Sequence, residues 1–340
     1  MTSKDALRVA VVGYGLGGRV FHVPFLLAAG FELSHVVTAN PERVAQAREA
    51  VPGARILDSL EALLADDERP DLVVLASPSG AHEEQAHAVI DAGLALVVDK
   101  PLATSESGAR EVVEHAERAG VPLTVHHNRR WDDEQRTLRA VLAAGELGAV
   151  HRFERRWERW RPEPLRRWKE NDTVGGGLLL DLGSHMVDAA LELFGPVSRV
   201  YAELRGLTAP ADDDVFVALT HSNGVLSHLQ AGGLVGAGGP RTRVLGDRGA
   251  FLVTSFEGDP SPFSVLDEGV EPHGGWLVRG EERTAVPLAP GEHTDFYRGV
   301  AAWLRSEGPV PVDPWDAVRT ARVLDAARES ARSGQVVSFD

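Results

Sequence analysis

Val9-Ala10-Val11-Val12-Gly13-Tyr14-Gly15-Leu16-Gly17-Gly18-Arg19-Val20 is the stretch on which the reading of this chain turns. An apolar run from Leu7 to Val12 has the length and β-branched content of a buried parallel strand. Three glycines follow at Gly13, Gly15 and Gly18, and a helical pattern runs from about Val20 to Ala29. In a strand-to-helix turn the first glycine permits the tight bend and the second lets the backbone approach a pyrophosphate. The third lets helix and strand pack closely. With Leu16 and Gly17 between them, the loop presents amides at a helix N-terminus, where an anion is favoured. The stretch therefore predicts a dinucleotide site at the first turn of a doubly wound sheet.

The rhythm continues outward. Phe31 to Val37, Leu72 to Ala76, Leu94 to Val98 and Val121 to Val125 read as further buried strands. Helical spacing separates them over Glu42 to Ala50, His82 to Ala92 and Glu106 to Ala119, the last with Ser105 as N-cap and Gly120 as its stop. Alternation of this kind predicts an α/β Rossmann domain over residues 1–125. After Asn128 comes one helix from Asp132 to Ala144, then polar-alternating strands. Phe216 to His221 and Val225 to Gln230 flank Ser222-Asn223-Gly224, a hairpin signal. Ser198 to Leu204 and Arg243 to Thr254 read as strands, Gly232 to Gly239 as a loop, and about Asp295 to Arg305 and Pro314 to Arg332 as amphipathic helices. Residues 126–340 are thus expected to form an α+β domain with a large, mostly antiparallel sheet, its last helices packing back on the first domain.

In the NAD fingerprint an acid about 20 residues on holds the ribose hydroxyls. Here the end of the second strand reads Thr38-Ala39-Asn40-Pro41-Glu42-Arg43, with no carboxylate at the strand end. Thr38 and Asn40 can donate to a 2′-phosphate and Arg43 can add charge, which favours NADP over NAD. Asn40 is equally a natural N-cap before Pro41. Ser77-Pro78-Ser79 ends the third apolar strand and faces the same crevice. His82 opens the next helix, as a pocket residue or simply as a helix-start residue.

Asp99-Lys100-Pro101 ends the next strand, where Pro101 stops the ladder. Lys100 is placed at the crevice, where desolvation and a neighbouring cation would lower its pKa. Asp181 and His185 stand one helical turn apart behind Gly175-Gly176-Gly177. Removing hydride from a secondary alcohol requires a group to take the hydroxyl proton, and histidine titrates in that range. Asp181 can hold a hydroxyl or orient the imidazole, and Lys100 can stabilise charge on the same oxygen. No further histidine or carboxylate clusters near this pair at metal-ligand spacing, so no metal is expected. His127, Asn128, Arg130 and Trp131, at the junction of the two domains, suit a ligand rich in hydroxyls.

Fifty acidic against 35 basic residues give a formal charge of −15, which disfavours nucleic acid and anionic membranes as partners. The basic, Trp-rich run Arg152 to Arg167 is accordingly read as a sheet face for oligomer contact. The chain has no cysteine, which excludes disulfides and a thiolate nucleophile. Its first apolar run is too short to span or target a membrane, and a cytoplasmic location is expected.

Gly13 to Gly18, Asp99-Lys100-Pro101 and the Asp181/His185 pair together resemble the Gfo/Idh/MocA oxidoreductase family over the whole chain. The family more often has Glu-Lys-Pro, and asparagine is common where Ser79 stands. Gly18-Arg19-Val20-Phe21-His22-Val23-Pro24 and Asn128-Arg129-Arg130-Trp131-Asp132 look like the branch of NADP-dependent scyllo-inositol dehydrogenases. The resemblance implies catalytic roles for Lys100, Asp181 and His185, a polyol or sugar substrate, and a homodimer or homotetramer built on the large sheet. Two other readings remain open on the residues alone: a non-catalytic dinucleotide sensor, and a glycosidase working through transient oxidation.

Overall fold

The computed structural model describes residues 6–163, 168–254 and 261–339. By compactness the chain divides into two units. One takes the chain up to Asn128 together with His293–Arg319, and the other takes Arg129–Glu292 with the C-terminal segment from Thr320.

The first unit is a six-stranded parallel sheet of β1 (Arg8–Val12), β2 (Glu32–Val37), β3 (Arg55–Leu57), β4 (Leu72–Leu75), β5 (Ala95–Asp99) and β6 (Leu123–His126). The order is β3-β2-β1-β4-β5-β6. The order reverses between β1 and β4, which is where ligands of such sheets bind. Helices α1 (Val23–Ala28), α2 (Pro41–Ala50), α3 (Leu60–Leu64), α4 (His82–Asp91) and α5 (Glu106–Ala119) fill the crossovers. Strand residues such as Val9 to Val11, Leu72 to Leu75 and Leu96 to Val98 are completely buried, as expected of strands covered on both faces. The caps of α5 behave as the sequence predicts. Ser105 Oγ accepts the Gly108 N–H at 3.2 Å, and Gly120 closes the helix at φ 65°.

Two details differ from expectation. The short strand β3 carries only Arg55–Leu57, with no fully buried residue, so no apolar run announces it. The helix expected from Val20 begins earlier, as a π-helical turn over Gly17–His22 that passes into α1.

The second unit holds a nine-stranded sheet of β7 (Val150–Glu158), β8 (Val197–Arg205), β9 (Asp214–His221), β10 (Leu226–Gly232), β11 (Thr242–Gly246), β12 (Gly249–Val253), β13 (Gly275–Arg279), β14 (Glu282–Val286) and β15 (Val337–Ser338). Its order is β14-β13-β12-β11-β7-β10-β9-β8-β15. It is antiparallel except where β7 pairs with β10. Helices α6 (Asp133–Ala143), α7 (Trp168–Asn171) and α8 (Ser184–Phe194) belong to this unit. Leu180, Met186, Val187 and Ala190 pack with Phe153, Leu229 and Val217 into one core. α9 (Thr294–Leu304) returns to the first unit, and α10 (Pro314–Ser333) runs from the first unit into the second.

The single strand read over Arg243 to Thr254 is a hairpin, β11–β12, turning at Asp247-Arg248. Gly232 still pairs within the sheet, so the glycine loop starts one residue later than read. Among the described residues of the run Arg152 to Arg167, several basic and aromatic side chains are committed within the unit. Arg155 and Trp157 are buried, and Glu134 pairs with Arg155 at 3.3 Å and Arg241 at 3.1 Å. Residues 164–167 of that run lie outside the described residues.

Candidate functional site

In the first unit the predicted cofactor residues gather at the carboxyl ends of the strands. Gly13 has φ 97°, and a Cβ there would lie 2.6 Å from the Ala76 carbonyl oxygen, so only glycine fits. A Cβ on Gly18 would meet the Gly13 carbonyl oxygen at 2.0 Å, which is the close helix–strand approach the motif requires. Gly15 lies under the Arg43 guanidinium, whose Nη1 would be 3.7 Å from a Cβ at that position. Arg43 thus lies against the glycine loop, while Asn40 caps α2 by accepting the Arg43 N–H at 3.1 Å. Thr38 is buried, and its N–H extends the ladder to the Leu57 carbonyl at 2.8 Å. Leu16 is 61% exposed, leaving the loop open on that side.

Asp99 links the glycine loop to Lys100. Its Oδ1 accepts the Lys100 N–H at 2.8 Å, and its Oδ2 would be 3.4 Å from a Cβ on Gly17. Two histidines flank this carboxylate: His22 Nε2 lies 3.6 Å from Oδ2 and His126 Nδ1 lies 3.8 Å from Oδ1. His22 Nδ1 is 2.5 Å from the hydroxyl of Tyr297 on α9. Burial, reinforced by Asp99, keeps the Tyr297 hydroxyl protonated well above its ordinary range. The hydroxyl and Nδ1 share one hydrogen bond, and the other ring nitrogen of His22, Nε2, faces Asp99. Burial opposes the Asp99 charge, but His126 and His22 hold its carboxyl well below the usual range. Burial, with His22 close by, pushes His126 down to about 4. Sequence reasoning did not anticipate that His22, His126 and Tyr297 converge on Asp99, because they come from the π-turn, β6 and α9.

His82 is 1% exposed. Its Nδ1 lies 2.8 Å from the Pro101 carbonyl oxygen and its Nε2 2.9 Å from that of Ser77. It therefore ties the turn after β5 to the turn after β4 and its Ser77-Pro78 step. Burial lowers its pKa while both carbonyls oppose that shift. His127 is buried, its N–H donating to the Val125 carbonyl at 2.9 Å, and Asn128 begins a 3-10 turn.

In the second unit two of the three glycines, Gly176 and Gly177, have a steric cause. A Cβ on Gly176 would meet the Lys169 and Asp172 carbonyl oxygens at 2.3 and 2.4 Å. Gly177, at φ 83°, would place one 2.2 Å from Asp212 Oδ1. The chain can thus press against α7 and Asp212 before entering a π-helical turn, Leu179–Gly183, that leads into α8. Asp212 Oδ2 accepts the Leu179 N–H at 2.7 Å and so closes the start of this helical segment. Lys169 Nζ reaches Asp181 Oδ1 at 2.5 Å. Both line a cavity with Trp157, Arg159, Thr208 and Asp212, to which His185 is connected through Trp157, ring centroids 5.9 Å apart. Trp157 in turn lies under the Arg241 guanidinium at 4.4 Å and that of Arg129 at 5.0 Å.

Arg130 is committed within this unit: Nε and Nη2 donate to both carboxylate oxygens of Asp188, at 2.9 and 2.6 Å, fixing α8 against the chain near Trp131. Lys169 and Asp212 were not singled out in the sequence; only the run of glycines, of which Gly176 and Gly177 are sterically required, hinted that backbone and carboxylate crowd that spot. Both π-turns carry motif residues, a placement frequent at functional sites.

The family profile described as "Oxidoreductase family, NAD-binding Rossmann fold" matches residues 7–127, and that described as "GFO/IDH/MocA C-terminal domain" matches residues 135–252. The chain is 30% identical to scyllo-inositol 2-dehydrogenase (NADP(+)) IolW of Bacillus subtilis (strain 168), covering 99% of this chain and 97% of that protein. It is 28% identical to inositol 2-dehydrogenase of Mycolicibacterium gilvum, over 96% and 92% of the two chains. The WlbA dehydrogenase of Bordetella pertussis, solved with NADH and UDP-GlcNAcA, superposes with a TM-score of 0.79 at 25% identity, covering 99% of each chain. The chain belongs to the Gfo/Idh/MocA family of oxidoreductases, with an NAD-binding Rossmann domain.

Proposed function

We propose that this protein interconverts a secondary hydroxyl and a ketone on an inositol, sugar or related polyol, using NADP in preference to NAD. The observation that carries the reading is the Asp99 carboxylate, which accepts the Lys100 N–H and lies against Gly17. It ties the lysine to the loop that would hold the dinucleotide. The residues present fit that group: a glycine cradle with no room for side chains at Gly13 and Gly18, and a guanidinium over Gly15. When bound, the nicotinamide supplies the hydride acceptor or donor.

Gly13, Gly15, Leu16, Gly17 and Gly18 would cradle the pyrophosphate, with Ser77 and Pro78 walling the crevice. Arg43, Asn40 and Thr38 would face the 2′-phosphate. A carboxylate at the end of β2 would repel that phosphate, and none stands there. Lys100 would hydrogen-bond the reacting oxygen and stabilise its negative charge. His185 would take the hydroxyl proton in oxidation and return it in reduction. Asp181 would hold a substrate hydroxyl, its charge balanced by Lys169. Trp131, Asn128 and His127 would contribute polar and stacking contacts to a polyol. Arg130, through Asp188, would position the helix that carries His185. Two relatives whose names specify inositol dehydrogenation support this substrate class.

Arg43→Ala tests the cofactor assignment. A lost charge-assisted contact should weaken NADPH binding about tenfold, equivalent to about 1.4 kcal/mol, and leave NADH binding nearly unchanged. Equal losses for both cofactors in a fluorescence titration would refute the 2′-phosphate role.

A further inference from the structure

Away from the cofactor crevice, α4 and α5 lie side by side and carry matched side chains. On each helix a glutamate precedes a histidine by four residues: Glu83 and His87 on α4, Glu111 and His115 on α5. That spacing puts each pair on one helical face. The two faces meet, with His87 Nδ1 and His115 Nδ1 2.8 Å apart and the ring centroids 5.0 Å apart. Ligand atoms of Glu83, His87 and Glu111 all lie within 4.8 Å of one another. Glycine at position 108, in the first turn of α5, is what admits the Glu83 carboxylate. A Cβ there would come within 2.1 Å of a carboxylate oxygen.

Two Nδ1 atoms at that distance are held together by one shared proton, since one ring must donate and the other accept. A divalent cation in the place of that proton would engage both nitrogen lone pairs together with the Glu83 and Glu111 carboxylates once the His115 ring, whose Nε2 lies 3.2 Å from Asp91 Oδ1, closes on the group formed by Glu83, His87 and Glu111. We propose that Glu83, His87, Glu111 and His115 form an inter-helix site for a divalent transition-metal cation such as Zn²⁺. Two imidazoles and two carboxylates make a donor set zinc accepts. Tetrahedral zinc with Zn–N bonds of 2.0–2.1 Å separates its ligand atoms by about 3.3 Å, so the rings need open by only about half an ångström. The ligands project from helices, so their spacing is largely set before a cation arrives. His87 and His115 are half-buried and Glu111 is exposed, which gives the ion a path in. Bound there, the ion would clasp α5 to α4, which packs beside β5.

The test uses tag-free, full-length protein stripped with a chelator and titrated with Zn²⁺ by calorimetry, with melting temperature followed in parallel. The wild type should take up zinc saturably and melt at a higher temperature with it. His87→Gln/His115→Gln should weaken that binding by roughly tenfold to a hundredfold and abolish the melting shift. NADPH binding by the double variant would show that it is folded. Glu111→Gln, at an exposed position, carries the test if the double variant fails to fold, and should also bind zinc more weakly. A second histidine-carboxylate group exists at His22, Asp99 and His126, so His126→Asn is included and should keep the helix site intact. No saturable zinc binding by the wild type, or unchanged affinity in both the double variant and Glu111→Gln, would overturn the proposal.

Discussion

At the scale of single residues, glycines and one carboxylate do most of the positioning. Gly13→Ala forces a Cβ into the Ala76 backbone at a φ that L-residues rarely adopt. The expected outcome is loss of dinucleotide binding with a melting temperature several degrees lower, read by calorimetry; an unchanged variant would show that the loop relaxes freely. Tyr297→Phe removes the hydroxyl that holds His22 against Asp99. It should cost about 1 kcal/mol of stability in denaturant titration and lower turnover more than NADPH affinity, since its effect passes through Asp99 to Lys100. Equal loss of affinity and turnover would make its role merely structural. The steric demand at Gly13 and Gly18 and the place of Lys100 just after β5 were legible because each motif is contiguous and local. His22, Tyr297 and His126 were not, because their convergence depends on which elements the sheet order brings together.

Among elements, helix caps and strand runs follow the sequence closely, and the departures have physical causes. Ser105→Ala removes the acceptor of the Gly108 N–H and should destabilise the protein by about 1 kcal/mol in urea unfolding; no change would mean that water replaces the cap at no cost. The helical segment carrying Asp181 and His185 starts at Asp212, whose carboxyl burial pushes up to about 6 against the Leu179 N–H bond. A raised folded pKa gives stability that is complete below the unfolded value of about 4 and lost as pH rises through about 6. Asp212→Asn keeps an acceptor for Leu179 and does not titrate. Its stability relative to the wild type should therefore increase between about pH 4 and pH 7. A constant difference across that range would contradict the shift. Glu134 behaves oppositely. Burial raises it, but Arg155, Arg241 and Thr242 bring it down to about 2, so its contribution holds above about pH 4 and fades as pH falls through about 2. Glu134 and Asp212 escaped the sequence reading because each acts through partners far along the chain.

For the whole molecule, the doubly wound parallel sheet of the first unit and the large, mostly antiparallel sheet of the second match what alternation and hairpin signals predicted. Segment boundaries were harder. The return of His293–Arg319 to the first unit accords with the expectation that the last helices pack back on it, with Phe296 and Tyr297 buried there, but the point at which α10 passes to the second unit is set by packing and leaves no local mark. The proposed chemistry assigns the oxygen contact to Lys100 and the proton to His185, so its decisive test is turnover. Absorbance of reduced nicotinamide should fall when the protein is mixed with NADPH and a panel of inososes and keto-sugars, and should rise with NADP and the matching polyol. Lys100→Met and His185→Asn should bind NADPH and show no turnover. Full turnover retained in both variants would contradict the account.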